Sequence, residues 1–77
     1  MNIYKIIGHN IRGYREKINW TQEKLAVRTR LTVNYIGCVE RCERKITIET
    51  MVKIAKTLKV EPNLLLIEES FKQDTLE

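Results

Sequence analysis

Apolar residues recur at intervals of three and four along most of this sequence, and strict alternation of apolar and polar residues is nearly absent. Spacing of this kind is typical of amphipathic helices rather than of strands. The first stripe predicts a helix over about residues 3–18, followed by Asn19, a residue type that tolerates the left-handed conformation at helix ends. Its apolar positions are Ile7, Ile11, Tyr14 and Ile18.

Three threonines mark the predicted starts of the next helices, because a threonine hydroxyl accepts a hydrogen bond from an unpaired amide of the first turn. Thr21 precedes a short helix that ends near Thr29. Thr32 precedes a third helix over about residues 33–41, and Thr47 precedes a fourth.

The last third of the chain predicts two helices and a short tail. The inner stripe of the fourth helix consists of Ile48, Met51, Ile54, Ala55 and Leu58. Pro62 stands in the first turn of a short fifth helix, where its missing N–H does no harm. Residues 73–77 read as a polar tail.

The outer face of the third predicted helix lacks the lysines and glutamates that a solvated helix surface normally carries. Ile36 and Val39 are expected to face the core. The outward positions are then Val33, Asn34, Tyr35, Gly37 and Cys38. A short helix, a tight turn and such a second helix match a helix-turn-helix, whose second helix fits the major groove of DNA, about 12 Å wide.

The net charge of +4 is distributed unevenly along the chain. Residues 1–60 carry a net charge of +8 and residues 61–77 a net charge of −4. The basic body indicates a polyanionic partner, and charge alone does not separate nucleic acid from an anionic membrane. The longest apolar run, residues 64–67, is far shorter than a membrane span of about 20 residues.

Few residues offer other chemistry. Cys38 and Cys42 lie four positions apart, and with His9 they fall short of the ligands of a zinc site. We expect two reduced thiols, with a redox-sensing Cys38 as the alternative. No paired carboxylates or nucleophile–base set stands out, so we expect no enzyme activity, metal or cofactor.

Five motifs follow one another in order: residues 20–26 (WTQEKLA), 31–36 (LTVNYI), 39–41 (VER), 47–51 (TIETM) and 54–58 (IAKTL). This ordered set resembles the XRE/Cro-type helix-turn-helix family of phage and bacterial repressors. The resemblance covers roughly residues 7–66. Residues 35–37, 39–41 and 43–44 also resemble small controller proteins of restriction–modification systems.

The resemblance implies a compact, all-α, five-helix fold of the lambda-repressor type, with the helix-turn-helix at helices two and three of a single domain over residues 1–72. It also implies a transcriptional regulator in the cytoplasm of a bacterium or phage host, without a small-molecule ligand or a membrane. Its partners would be double-stranded DNA, bound at a pseudo-palindromic operator, and a second copy of the chain.

The resemblance further implies roles for individual residues. Base edges would be contacted by Val33, Asn34, Tyr35, Gly37 and Cys38. The DNA backbone would be contacted by Thr21, Gln22, Thr32, Arg44 and Lys45. Arg15 and Glu40 would form a partly buried ion pair between the first and third helices.

The C-terminal apolar residues exceed what a small core needs, and acidic residues surround them. We therefore expect residues 64–71 to contribute a dimer contact. The residues of this contact would be Leu64, Leu66, Ile67 and Phe71. The alternative function is an antitoxin-like protein-interaction module, in which Val33, Tyr35 and Cys38 form a protein-binding patch.

Three positions depart from the pattern of the family, which usually has glycine where Asn19, Arg30 and Cys42 stand. Asparagine is an easy substitute. Arg30 and Cys42 predict either altered turns or a positive φ at a cost of about 1 kcal/mol each.

Overall fold

Four side-chain caps fix where the helices of the computed structural model begin. The Asn2 carboxamide oxygen accepts a hydrogen bond from the amide of Tyr4, 3.0 Å away. The predicted caps at Thr21, Thr32 and Thr47 are confirmed, because each hydroxyl accepts from the amide three residues later. The structure describes residues 2–73, and its four α-helices are α1 (Ile3–Lys17), α2 (Gln22–Thr29), α3 (Val33–Glu40) and α4 (Ile48–Thr57).

The expected all-α architecture is confirmed over residues 2–73, but the fifth helix is not an α-helix. Two short 3₁₀-helices, Pro62–Leu66 and Ser70–Lys72, follow α4. Asn10 lies under the first of them, and its Nδ2 donates to the carbonyl oxygens of Leu65 (2.9 Å) and Ile67 (2.8 Å). The carbonyl of Leu65, which in an α-helix would accept from the amide four residues later, accepts from the Asn10 side chain here. Residues 74–77 of the predicted polar tail lie outside the described residues.

The core draws on every larger element of the fold. Each of the four α-helices and the first 3₁₀-helix contributes one leucine or isoleucine with 0% exposure. These side chains are Ile11, Leu25, Ile36, Ile54 and Leu65. All five belong to one core cluster, so the five elements share one centre. Burial of each such side chain contributes about 1.5–3 kcal/mol.

Two residues that the spacing places on inner stripes are exposed instead. Ile18 is 42% exposed because it caps α1 beyond its last helical residue. Ile48 is 77% exposed. It is the first residue of α4, and side chains tilt toward the N-terminus of their helix, so this one points past the core.

Two glycines in α1 allow close packing against it. A Cβ atom at Gly8 would collide with the carbonyl oxygen of Val39, near the end of α3. A Cβ atom at Gly13 would collide with the ring of Phe71. Side chains at these positions would force α1 away from α3 and from the second 3₁₀-helix.

The turns around the two central helices keep left-handed geometry. The φ angles are 61° at Asn19, 61° at Arg30 and 63° at Cys42, so the strained alternative is the one adopted. The turn between α2 and α3 is closed by a hydrogen bond of 3.0 Å from the Leu31 amide to the Ala26 carbonyl. No helix among residues 2–73 is long and apolar enough to cross a membrane.

Candidate nucleic-acid interface

The exposed surface of α3 lies at its N-terminal turn. Val33 is 42% exposed and Asn34 is also exposed. Tyr35 is half-buried and packs against the core, and Cys38 is half-buried. No charged side chain interrupts α3 before Glu40. The surface that α3 offers to a groove is therefore narrow and uncharged, and it is centred on Asn34.

Gly37 does not face solvent, and its expected outward position is wrong. It is buried. A Cβ atom built there would lie 3.0 Å from Nη1 of Arg41 and 3.6 Å from Oε1 of Gln22. Because Gly37 has no side chain, the longer side chains of Arg41 and Gln22 can lie over it. In this arrangement Gly37 itself is not open to solvent.

Glu40 joins α1, α2 and α3 at the base of this surface. Its carboxylate accepts from Arg15 at 2.7 and 3.0 Å and from Nε2 of Gln22 at 2.9 Å. Arg15 also donates to the carbonyl oxygen of Trp20 at 2.8 Å. Mainly through its hydrogen bond to Glu40, the pKa of Arg15 is raised above its ordinary value. This network holds the first residue of α2 at a fixed distance from the last residue of α3.

Two cations follow α3 along the chain. Arg44 and Lys45 are exposed in the loop before α4. The guanidinium of Arg44 lies 5.3 Å from the ring centre of Tyr35, and Nζ of Lys45 lies 6.0 Å from that of Tyr4. These contacts favour one direction for each long side chain while the charged ends remain in water.

The remaining backbone-contact candidates stand at helix starts. Thr21 and Thr32 are exposed, and their hydroxyls are engaged as caps of α2 and α3. Gln22 is half-buried and opens α2, where unpaired amides and the helix dipole favour an anion. The starts of α2 and α3 therefore supply polar groups suited to phosphates.

Comparison with known proteins places this geometry in a family. The profile of the family described as helix-turn-helix matches residues 11–65. The control protein C.SmaI of Serratia marcescens is 39% identical over 74 residues, which make up 96% of this chain and 88% of that protein. The chain belongs to the helix-turn-helix family. The resemblance noted in the sequence is thereby confirmed.

Solved structures of controller proteins have the same fold. The restriction–modification controller protein C.AhdI of Aeromonas hydrophila is 32% identical, with a TM-score of 0.77 over 80% of this chain and 94% of that chain. The controller protein C.Esp1396I is 31% identical, with a TM-score of 0.80 over 96% of this chain and 99% of that chain. It is also known from a nucleoprotein complex, with 27% identity, a TM-score of 0.78 and the same coverage. These relatives are regulatory proteins by name.

The predicted dimer-contact residues divide into two groups. Leu66 and Ile67 are 42% and 45% exposed, whereas Leu64 is half-buried. Phe71 is half-buried against α1, where its ring meets those of His9 and Tyr14 edge to face. Phe71 thus already has partners within the chain.

One of the two exposed residues of this set, Leu66, lines an apolar groove. Ile3 of α1 and Ile48 of α4 are 37% and 77% exposed, and both line a groove together with Leu66. Because the helical spacing assigns Ile48 to the core, the sequence did not predict this apolar groove.

Sequence reasoning missed two residues around the site, Asn10 and Arg41. Asn10 follows Ile7 by three positions and precedes Tyr14 by four, so its spacing alone places it on the inner face. Arg41 gave no signal beyond its place after α3, because spacing does not show that its side chain turns back over Gly37. Among residues 2–73, no three His, Cys, Asp or Glu side chains are grouped as metal ligands would be.

Proposed function

We propose that this chain is a sequence-specific DNA-binding transcriptional regulator in which α2, the turn at Arg30 and α3 form the helix-turn-helix. The observation that carries the proposal is the uncharged first turn of α3, with Val33 and Asn34 exposed on a body of net charge +8. Charged groups elsewhere on the body attract phosphates of any sequence, whereas this turn can distinguish bases.

In this proposal α3 enters the major groove by its N-terminal turn. Asn34 carries an amide suited to a bidentate contact with adenine, and Val33 packs on a thymine methyl group. Tyr35 and Cys38 line the edge of the contact, since both are only half-buried. Gly37 takes no part, because Gln22 and Arg41 cover it.

Phosphates would be held on both sides of α3. Arg44 and Lys45 are free to reach the backbone from the loop that follows the helix. On the other side, Thr21, Gln22 and Thr32 present the starts of two helices. One N–H of the Gln22 amide is engaged by Glu40, which fixes the direction of the other.

The regulator would act as a homodimer on a pseudo-palindromic operator, with half-sites about 34–36 Å apart. The exposed residues Leu66 and Ile67, with the groove lined by Ile3 and Ile48, supply an apolar surface for a second copy. The similarity to restriction–modification controller proteins supports genes of such a system as the target. As a DNA-binding regulator, the protein would act in the cytoplasm of a bacterium or phage host.

Selection of duplexes from a randomised pool, followed by gel shifts at rising salt, tests the proposal. The wild-type chain should enrich a pseudo-palindrome and hold it at salt concentrations that release a scrambled duplex of the same composition. A pool without enrichment would overturn the proposal. Recovery of a stoichiometric protein partner, with DNA affinity lost at physiological salt, would favour the protein-interaction module instead.

A further inference from the structure

An arginine and a glutamate form an ion pair at the C-terminal end of α3. Nε and Nη2 of Arg41 donate to the two carboxylate oxygens of Glu43 at 3.1 and 3.2 Å. Nη2 also lies 3.8 Å from Sγ of Cys38. The guanidinium therefore rests over the small residues Gly37 and Cys38, in the space that a longer side chain at position 37 would fill.

Glu43 places a negative charge in a basic stretch of the chain. It stands among Arg41, Arg44 and Lys45, in a loop that the proposed function brings against DNA. A carboxylate fills the two-pronged donor set of an arginine as a phosphate or a guanine edge does. A glutamate is ionised at neutral pH, and the hydrogen bond from Arg41 lowers the pKa of Glu43 further below its ordinary value.

We propose that the ion pair with Glu43 keeps Arg41 from binding DNA phosphates. Arg41 exchanges Glu43 only for the edge of a matching base that lies beside Gly37 and Cys38. The inference rests on the proposed function. In a non-specific complex α3 is not seated in the groove, and Arg41 stays bound to Glu43. When α3 lies in the groove, a guanine beside Gly37 and Cys38 presents two acceptors, and these replace the carboxylate of Glu43 as partners of Arg41. The pair thereby raises the ratio of specific to non-specific affinity.

A second ion pair in α1 offers a matched control. Arg12 and Glu16 are joined at 3.1 Å, with side-chain exposures of 62% and 54%. Arg41 and Glu43 are joined at 3.1 Å, with exposures of 56% and 55%. Glu16→Gln thus removes the same charge and frees an equally exposed arginine outside α2, α3 and the loop that follows.

The experiment measures the dissociation constants of the selected duplex and of its scrambled version for four variants and the wild type, across a salt series. Glu43→Gln should tighten scrambled binding about two- to fivefold, with a salt slope steeper by about one, and change selected binding less. Arg41→Ala should weaken selected binding about tenfold or more and affect scrambled binding less. Glu16→Gln should leave both constants unchanged.

The double variant Arg41→Ala/Glu43→Gln decides whether the two residues act as a pair. The effect of Glu43→Gln should vanish in the Arg41→Ala background. If it persists there in full, or if Glu16→Gln has the same effect, loss of one negative charge explains the result and the inference is wrong. Thermal unfolding of each variant checks that the fold is intact. A pool that enriches no sequence would instead refute the proposed function itself.

Discussion

The guanidinium of Arg15 and the carboxylate of Glu40 are joined by two hydrogen bonds, 2.7 Å from Nε to Oε2 and 3.0 Å from Nη2 to Oε1. Only 9% of the Arg15 side chain and 2% of the Glu40 side chain are exposed, so each charge is compensated by the other rather than by water. Glu40→Ala should lower the free energy of unfolding by about 3–5 kcal/mol, because it leaves a buried guanidinium unpaired.

Urea unfolding measures this loss, and Glu16→Gln serves as its control. The Arg12–Glu16 pair is more than half exposed on both sides, so breaking it should change the free energy of unfolding by about 0.5 kcal/mol or less. If Glu40→Ala and Glu16→Gln lowered the free energy of unfolding equally, burial would not make the Arg15–Glu40 pair more important for stability than an exposed pair.

Asn10 predicts a second large loss of stability. Its side chain has 0% exposure and donates to two carbonyls of the C-terminal segment at 2.9 and 2.8 Å. Asn10→Ala should cost about 1–3 kcal/mol, because the carbonyl of Leu65 loses a buried donor. The exposed Asn34 gives a matched substitution, and Asn34→Ala should stay within about 0.5 kcal/mol in the same urea titration. A small effect of Asn10→Ala would mean that water replaces the amide.

The sequence determined the helices more securely than the contacts between them. Helix starts depend on local chemistry, and the three threonine caps were predicted from single residues. Ile48 was misplaced because periodicity does not register that a first-turn side chain points past the core. The carbonyl of Leu65 accepts from Asn10, more than fifty residues earlier, and the cover over Gly37 depends on the path of the Arg41 side chain. No spacing rule contains either relationship.

Base and backbone contacts should separate in DNA binding. Asn34→Ala should cost about 1–3 kcal/mol against the selected duplex and relax the preference at one base position, because it removes a bidentate amide. Lys45→Ala should weaken all duplexes alike and reduce the salt slope by about one. Gel shifts with the selected duplex and single-position variants measure both effects. The division of roles would be wrong if the two substitutions weakened every duplex equally.

The apolar surface at the C-terminal segment should control self-association. Leu66→Glu places a charge on a side chain that is 42% exposed beside the groove of Ile3 and Ile48, so it should shift the chain toward the monomer in sedimentation equilibrium. Val27→Glu is the control, since Val27 is 75% exposed on α2 and does not line the groove. A monomeric wild type, or equal dissociation of both variants, would argue against this surface as the contact.

Arg30 is a position where a single substitution should stabilise the fold. Its φ of 61° and ψ of 32° lie in the left-handed region, which costs a residue with a Cβ atom about 1 kcal/mol or more. Arg30→Gly removes that strain but adds freedom to the unfolded chain, so the expected net gain in unfolding free energy is about 0.5–1 kcal/mol. Asn19→Gly at the same φ should gain less, because asparagine tolerates this conformation. If urea unfolding gave a larger stability gain for Asn19→Gly than for Arg30→Gly, backbone strain would not determine the stability of these turns. The contacts of the replaced side chains would then determine it.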